Sequence, residues 1–179
     1  MSKRSRGLSA ERLALSALLL AMMLVLGWVE AQIPLNAAVP GIKLGLSNGV
    51  LIFAVYMLDL PTAWVLMLLK VLLSGLLFNP AAIPYALAGG VLSLAAMSFF
   101  SRVKGVHPIT VSMVGGALHN VGQVLTAMLI VRTSGLLYYM GVLMLVGLAC
   151  GALTGVIAAL VMKHLKHVNA RGSGTGPRE

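Results

Sequence analysis

The side chains with the clearest capacity for binding chemistry are polar groups inside long apolar runs of this sequence. Lys70 lies midway along one run, and His119, Asn120 and Gln123 lie close together in another. An ammonium, an imidazole and two amides can hold a small molecule by hydrogen bonds, and Lys and His favour a negatively charged group on it. Polar groups are costly at membrane depth, where they tend to mark ligand or ion paths. These four residues are the first candidates for a substrate-binding site.

The composition places these residues in a membrane. The 179 residues are 59% hydrophobic and 9% charged, with a mean hydropathy of +0.99. Soluble domains are about 45–50% apolar and about 25% charged. Because so few charged groups cannot cover a compact core with a water-facing shell, the sequence predicts an integral membrane protein.

Several classes of chemistry are excluded by the same counts. Cys150, the single cysteine, lies in an apolar stretch, which excludes a disulfide framework and a thiolate metal cluster. The four acidic residues are scattered, so a paired-carboxylate active site is not expected. The net charge of +9 comes from bases beside apolar runs, which indicates membrane topology rather than nucleic acid binding. We therefore expect no enzyme, no cofactor, no metal and no nucleic acid partner.

Six apolar runs are separated by polar and proline-containing stretches. Most approach the ~20 residues that cross a bilayer as a helix, and the second is short, with an expected start near residue 41. The sequence thus predicts an all-α bundle of six transmembrane helices over residues 10–165, with cytoplasmic tails at 1–9 and 166–179. The runs are 13–29, 44–58, 60–78, 81–100, 109–131 and 136–162.

The distribution of Lys and Arg predicts the orientation. Bases precede the first run, follow the last, and occupy the loop at Arg102 and Lys104, whereas Lys43 and Arg132 fall on the opposite side. The positive-inside rule then puts both termini in the cytoplasm of a multi-pass cell-membrane protein. An alternative makes the first run a signal peptide cleaved near Ala31.

Small residues at helical spacing predict close helix contacts. Each of three such stripes either packs inside the bundle or docks onto another subunit, and the first, being terminal, is the better candidate for docking. The stripes are Ala14, Ala17 and Ala21 (with Ala10 before them), then Ala82, Ala86 and Gly90, then Gly147, Gly151 and Gly155.

Helix geometry predicts that Lys70 and His119 lie at nearly equal depth, about 14–15 Å from the inner ends of their helices. Gly115 and Gly122 share a face with His119 and are expected to leave room beside it. The other polar groups lie mainly towards the outer side, which favours a pocket that opens outward. The alternative is an interhelical hydrogen-bond network that only stabilises packing, in which Lys70 could pair with Glu30.

Three stretches resemble a known family: PGIKLGLSN at 40–48, ALAGGVLS at 86–93 and GALHNVGQ at 116–123. Together they resemble the Gx transporter family, whose members are also labelled heptaprenyl diphosphate synthase component I. That family is similar to the S components of energy-coupling factor transporters, six-helix proteins that capture vitamins or related nutrients outside. S components work with a transmembrane T subunit and two cytoplasmic ATPases.

The resemblance implies roles for particular residues. Ala17 and Ala21 match the A-x-x-x-A pattern by which S components contact the T subunit, and the connection at 31–42 resembles an outer lid over the substrate. The set expected to bind the substrate comprises His119, Asn120, Gln123, Lys70, Asn48 and Lys43.

Three functions follow as hypotheses. The first is the substrate-binding subunit of a nutrient uptake transporter; the chain has no G-x-x-x-x-G-K-[ST] motif with which to hydrolyse ATP itself. The second is a non-catalytic accessory component for polyprenyl diphosphate synthesis, because catalysis with Mg²⁺ needs clustered oxygen ligands and the chain has one Asp, Asp59. The third is an oligomeric scaffold or pore built on the glycine stripe.

Overall fold

The fold consists of helices, which a computed structural model describes for residues 10–32 and 46–172. Five short turns or breaks divide the second of these ranges, and each contains or adjoins a polar, glycine or proline residue. The helices are α1 (Ala10–Gln32), α2 (Leu46–Gly49), α3 (Leu51–Met57), α4 (Leu60–Leu77), α5 (Ile83–Phe100), α6 (Pro108–Val131) and α7 (Leu137–Gly172).

The helix starts follow from capping side chains in the sequence. Asp59 caps α4, where its Oδ1 accepts hydrogen bonds from Thr62 N at 2.9 Å and Thr62 Oγ1 at 2.7 Å. Asn79 caps the short 3-10 turn at Pro80–Ala82 that leads into α5, and His107 caps α6 through a bond from Ile109 N. These side chains satisfy amide donors that have no partner within the helix. The polar residues between the apolar runs therefore set where α4, α5 and α6 begin.

Five helices of the described residues are long and apolar enough to cross a membrane: α1, α4, α5 with its preceding turn, α6, and α7 as far as Leu165. The second apolar run instead forms the apolar segment Leu46–Met57, which breaks at Val50. At 1.5 Å per residue, twelve residues extend about 18 Å, well short of a ~30 Å hydrocarbon core. The chain is thus a multi-pass membrane protein, and the count of six spanning helices is not confirmed. The predicted start near residue 41 lies outside the described residues.

The short segment α2–α3 is the centre of the bundle. The long helices α1, α4, α5, α6 and α7 contact one another in that order, and α2 and α3 contact members from both ends of the row. All residues from 47 to 52 are buried. Because this part of α2–α3 is buried among the long helices, a polar residue such as Asn48 lies within reach of several of them.

Two of the three small-residue stripes pack inside the bundle. A Cβ at Gly147 would lie 2.5 Å from Gly116 O, and one at Gly151 would lie 2.5 Å from Ser112 O. Helix α7 therefore uses its glycines to approach the backbone of α6, so the stripe on which the scaffold or pore hypothesis depends packs inside the bundle. In the other internal stripe, Ala82 is buried in the turn before α5, and Gly90 of α5 lies against Met67 of α4.

The alanine stripe of α1 lies on an exposed face instead. Ala14, Ala17 and Ala21 are exposed, and the buried residues of α1 project on the opposite side of the helix. Those buried residues are Leu19, Met23, Gly27 and Glu30. Helix α1 thus contributes to the core as well as to the surface.

The last helix is longer than its apolar run. Helix α7 continues to Gly172, so the first part of the expected tail at 166–179 extends the helix. Residues 1–9 and 173–179 lie outside the described residues.

Candidate functional site

A chain of buried polar side chains joins three helices at the centre of the bundle. Lys70 Nζ on α4 donates a hydrogen bond to Asn48 Oδ1 on α2 at 2.7 Å. Asn48 Nδ2 in turn bonds to His119 Nδ1 on α6. Lys70 is 5% exposed, Asn48 1% and His119 2%. Lys70 and His119, which the sequence predicts to lie at nearly equal depth, are therefore connected through Asn48, a third residue of the predicted site.

The order of donors in this chain assigns a role to one imidazole nitrogen. Because Asn48 accepts from Lys70 through its oxygen, the group that Asn48 turns towards His119 is its amide nitrogen, which can only donate. This arrangement matches a His119 tautomer that accepts at Nδ1.

The imidazole fits because α5 carries a glycine where the ring lies. A Cβ on Gly89 would be 2.7 Å from His119 Nδ1 and 2.7 Å from His119 O. Such contacts are far inside normal van der Waals separation. Gly89 belongs to the stretch at 86–93 that carries the family resemblance, and the structure gives this glycine a role in accommodating the candidate site.

Glu30 anchors the other end of α2. Its carboxylate accepts bonds from Leu46 N at 2.5 Å, Ser47 N at 3.4 Å and Ser47 Oγ at 3.1 Å, and the side chain is 4% exposed. A carboxylate at the first amides of a helix satisfies donors that lack helical partners. A pairing of Glu30 with Lys70 is one alternative that the sequence leaves open; the contacts with Leu46 and Ser47 are those of a cap on α2 next to Asn48.

Asn120 faces a different neighbour from His119. Its Nδ2 donates to Leu143 O of α7 at 2.6 Å, and a Cβ on Gly147 would be 2.8 Å from that nitrogen. Asn120 Oδ1 is buried without a hydrogen-bond partner in the described residues. Asn120 therefore joins α6 to α7. Gln123 is fully buried and lies one turn after His119 on the same face of α6.

The glycines of α6 do not leave space beside His119, contrary to the expectation from sequence. A Cβ at Gly115 would clash with Met97 Cε, and one at Gly122 would lie 2.8 Å from Gly89 Cα. Both positions are filled by α5. The glycines allow the two helix backbones to approach, because a small residue removes the side chain that would separate them.

The remaining predicted residues divide between exposed and undescribed positions. The three partner-contact alanines of α1 lie on the exposed face already noted. Lys43 and the predicted lid at 31–42, apart from Ala31 and Gln32, lie outside the described residues. In the described ranges, no three His, Cys, Asp or Glu side chains lie close enough to hold a metal ion.

Long apolar helices around a buried polar chain define a multi-pass α-helical membrane protein with a candidate intramembrane binding site. The chain belongs to the family described as heptaprenyl diphosphate synthase component I, which it matches over residues 19–161. That match includes Lys70, Asn48 and His119. Comparison with curated proteins and with solved structures gave no match.

Proposed function

We propose that this protein is the substrate-binding membrane subunit of a nutrient uptake transporter of the energy-coupling factor type. The observation that carries the proposal is the Lys70–Asn48–His119 chain. A central Lys costs at least about 2.5–3.5 kcal/mol to insert in a membrane helix, whereas Asn and Ser join helices at lower cost. Retaining an ammonium and an imidazole at this depth favours a role in binding over a role in packing alone.

The chemistry of the site favours a ligand with a negatively charged group, such as a carboxylate. Lys70 supplies an ammonium, and His119 supplies an imidazole that is joined to it through Asn48. Charge-assisted hydrogen bonds to an anion are about twice as strong as those between neutral groups. In this proposal Gln123 adds an amide on the same face of α6, and Lys43 contributes from the outer connection.

The exposed alanine face of α1 supports assembly with a T subunit. Small exposed residues allow the backbone of another helix to approach closely, and the core contacts of α1 lie on its other side. In the proposed complex, two cytoplasmic ATPases supply the energy, and this chain acts as a binding protein, not as an enzyme. The bases at the chain ends orient both termini towards the cytoplasm.

The direct test is to purify the protein from cells and identify retained small molecules by mass spectrometry. We expect a single class of anionic metabolite in the wild-type protein and its loss in His119→Ala. Co-purified T subunit and ATPases would support the transporter assignment. The transporter assignment would be refuted if the wild-type protein neither retained nor bound any metabolite and if neither the T subunit nor the ATPases co-purified with it.

A second function is favoured by the family description, which names a component of heptaprenyl diphosphate synthase. In that case this chain is a membrane accessory of a separate catalytic subunit. Asp59, its one aspartate, caps α4 and pairs with Arg12 at 3.2 Å, so its carboxylate already has structural partners. Co-purification of a prenyl synthase instead of ATPases would favour this alternative.

A further inference from the structure

An apolar groove lies between the first and last helices, separate from the polar chain. Its walls are α1, from Leu15 to Leu26, and α7, from Thr154 to Leu165, and its floor is the outward face of α2–α3. The groove has a volume of about 360 Å³. It exists because the short segment α2–α3 lies inside the gap between α1 and α7 without filling it.

The lining of the groove suits hydrocarbon. Among the described residues that line it, Thr154 is the one with a polar side chain. The Thr154 hydroxyl bonds within α7 to Cys150 O at 2.9 Å, and it lies 3.2 Å from Ser112 Oγ of α6. Because that hydroxyl already has partners, the groove offers water no favourable site.

The dimensions distinguish a lipid chain from a protein helix. Both walls extend over eleven residue steps, about 16 Å, so 360 Å³ corresponds to a mean cross-section of about 22 Å². A hydrocarbon chain that keeps about 4.0–4.5 Å from its neighbours needs about 16–20 Å². A helix with its side chains is about 10–12 Å wide and needs about 80–110 Å². One extended hydrocarbon chain fits, and a helix does not.

One end of the groove is basic. Arg12 lies one turn before Leu15, where it also pairs with Asp59 at 3.2 Å, and Lys163 and His164 precede Leu165, all with exposed side chains. The flanking sequence is also basic: Lys3, Arg4 and Arg6 precede α1 in the chain, and Lys166 and Arg171 follow Leu165. Basic groups beside a helix seam attract anionic lipid head groups.

We propose that this groove binds one chain of an anionic phospholipid, whose head group lies at the basic end. The lipid closes the seam between α1 and α7 in the membrane. This site is independent of the polar chain and of the proposed transport function.

The test is to reconstitute the protein with equal amounts of phosphatidylglycerol and phosphatidylcholine of the same acyl chains and to measure retained lipid by native mass spectrometry. We expect one phosphatidylglycerol, retained at least fivefold over phosphatidylcholine. Val161→Trp, which fills the groove, should lower this retention at least fivefold. Leu160→Trp, one residue away and 62% exposed outside the groove, should leave it unchanged.

Ile157→Phe provides a second, smaller obstruction of the groove if Val161→Trp fails to fold, and it should also lower retention. Equal retention in these variants and in Leu160→Trp would overturn the site. Equal retention of the two lipids would overturn the head-group assignment, and a second copy of the chain in place of lipid would overturn the proposed occupant.

Discussion

The contact between Lys70 and Asn48 offers the most direct test of the buried chain. We expect Lys70→Met and Asn48→Leu to be coupled in their effects on stability, because each removes one partner of the same 2.7 Å hydrogen bond. Both side chains are at least 95% buried, so water does not replace the lost partner. A double-mutant cycle isolates the energy of the pair from the other effects of each substitution.

Two ranges set the expected magnitude. A hydrogen bond to a charged group contributes about 1.5–3 kcal/mol in proteins generally. Bonds between membrane helices average about 0.6 and reach about 1.7 kcal/mol, because the unfolded chain in a membrane also finds partners. The ranges overlap near the top of the membrane values, where a charged and fully buried pair belongs. We therefore expect a coupling of about 1.5 kcal/mol, a little over tenfold in the unfolding constant.

The assay is reversible unfolding in mixed micelles, measured for the wild type, the two single variants and the double variant. A matched control combines Lys70→Met with Asn120→Leu, because Asn120 bonds to Leu143 O of α7 instead. That pair should be additive within about 0.5 kcal/mol. Coupling below 0.5 kcal/mol for Lys70 and Asn48, or equal coupling in the control, would refute the chain as an energetic link.

Three further outcomes follow from the same structure. If the site orients an anionic ligand, His119→Ala or Gln123→Ala should weaken binding of the retained metabolite tenfold or more, with a smaller loss of thermal stability. Unchanged affinity together with a large loss of thermal stability would mean that these groups only join helices. Gly89→Ala should displace the imidazole and lower thermal stability and metabolite binding, whereas Gly141→Ala, where a Cβ meets nothing within 4 Å, should change neither. Ala17→Leu should reduce co-purification with a T subunit while the isolated protein stays folded, because a branched side chain prevents close approach on an exposed face; full co-purification would show that this face contacts lipid alone.

The polar and proline-containing breaks in the sequence predicted the limits of α4, α5 and α6 well, and the structure shows capping side chains at those breaks. Asp59, Asn79 and His107 begin α4, the turn before α5, and α6, because a cap acts within a few residues of the chain. The second apolar run, residues 44–58, is ambiguous from composition alone. Its apolar composition is compatible with a spanning helix and with the short broken segment that the structure shows, and packing against five neighbours decides between them.

Glycine patterns show the same limit. The spacing of Gly115 and Gly122 suggested room for a ligand, whereas Met97 and Gly89 of α5 fill that room. The stripe at Gly147 and Gly151 was compatible with an interface to another subunit until α6 was found against it. Spacing identifies the face on which a close approach occurs, but it does not identify the partner.

The sequence by itself determined the class of protein and the residues most worth testing. Few charges and long apolar runs require a membrane, and Lys70 and His119 stand out because polar groups are costly there. The tertiary structure decided how those residues are connected. Asn48 lies 22 residues from Lys70 and 71 from His119 along the chain, and their contacts depend on α2 lying inside the row of long helices. Periodicity and capping act over a few residues, so neither could specify contacts at these separations.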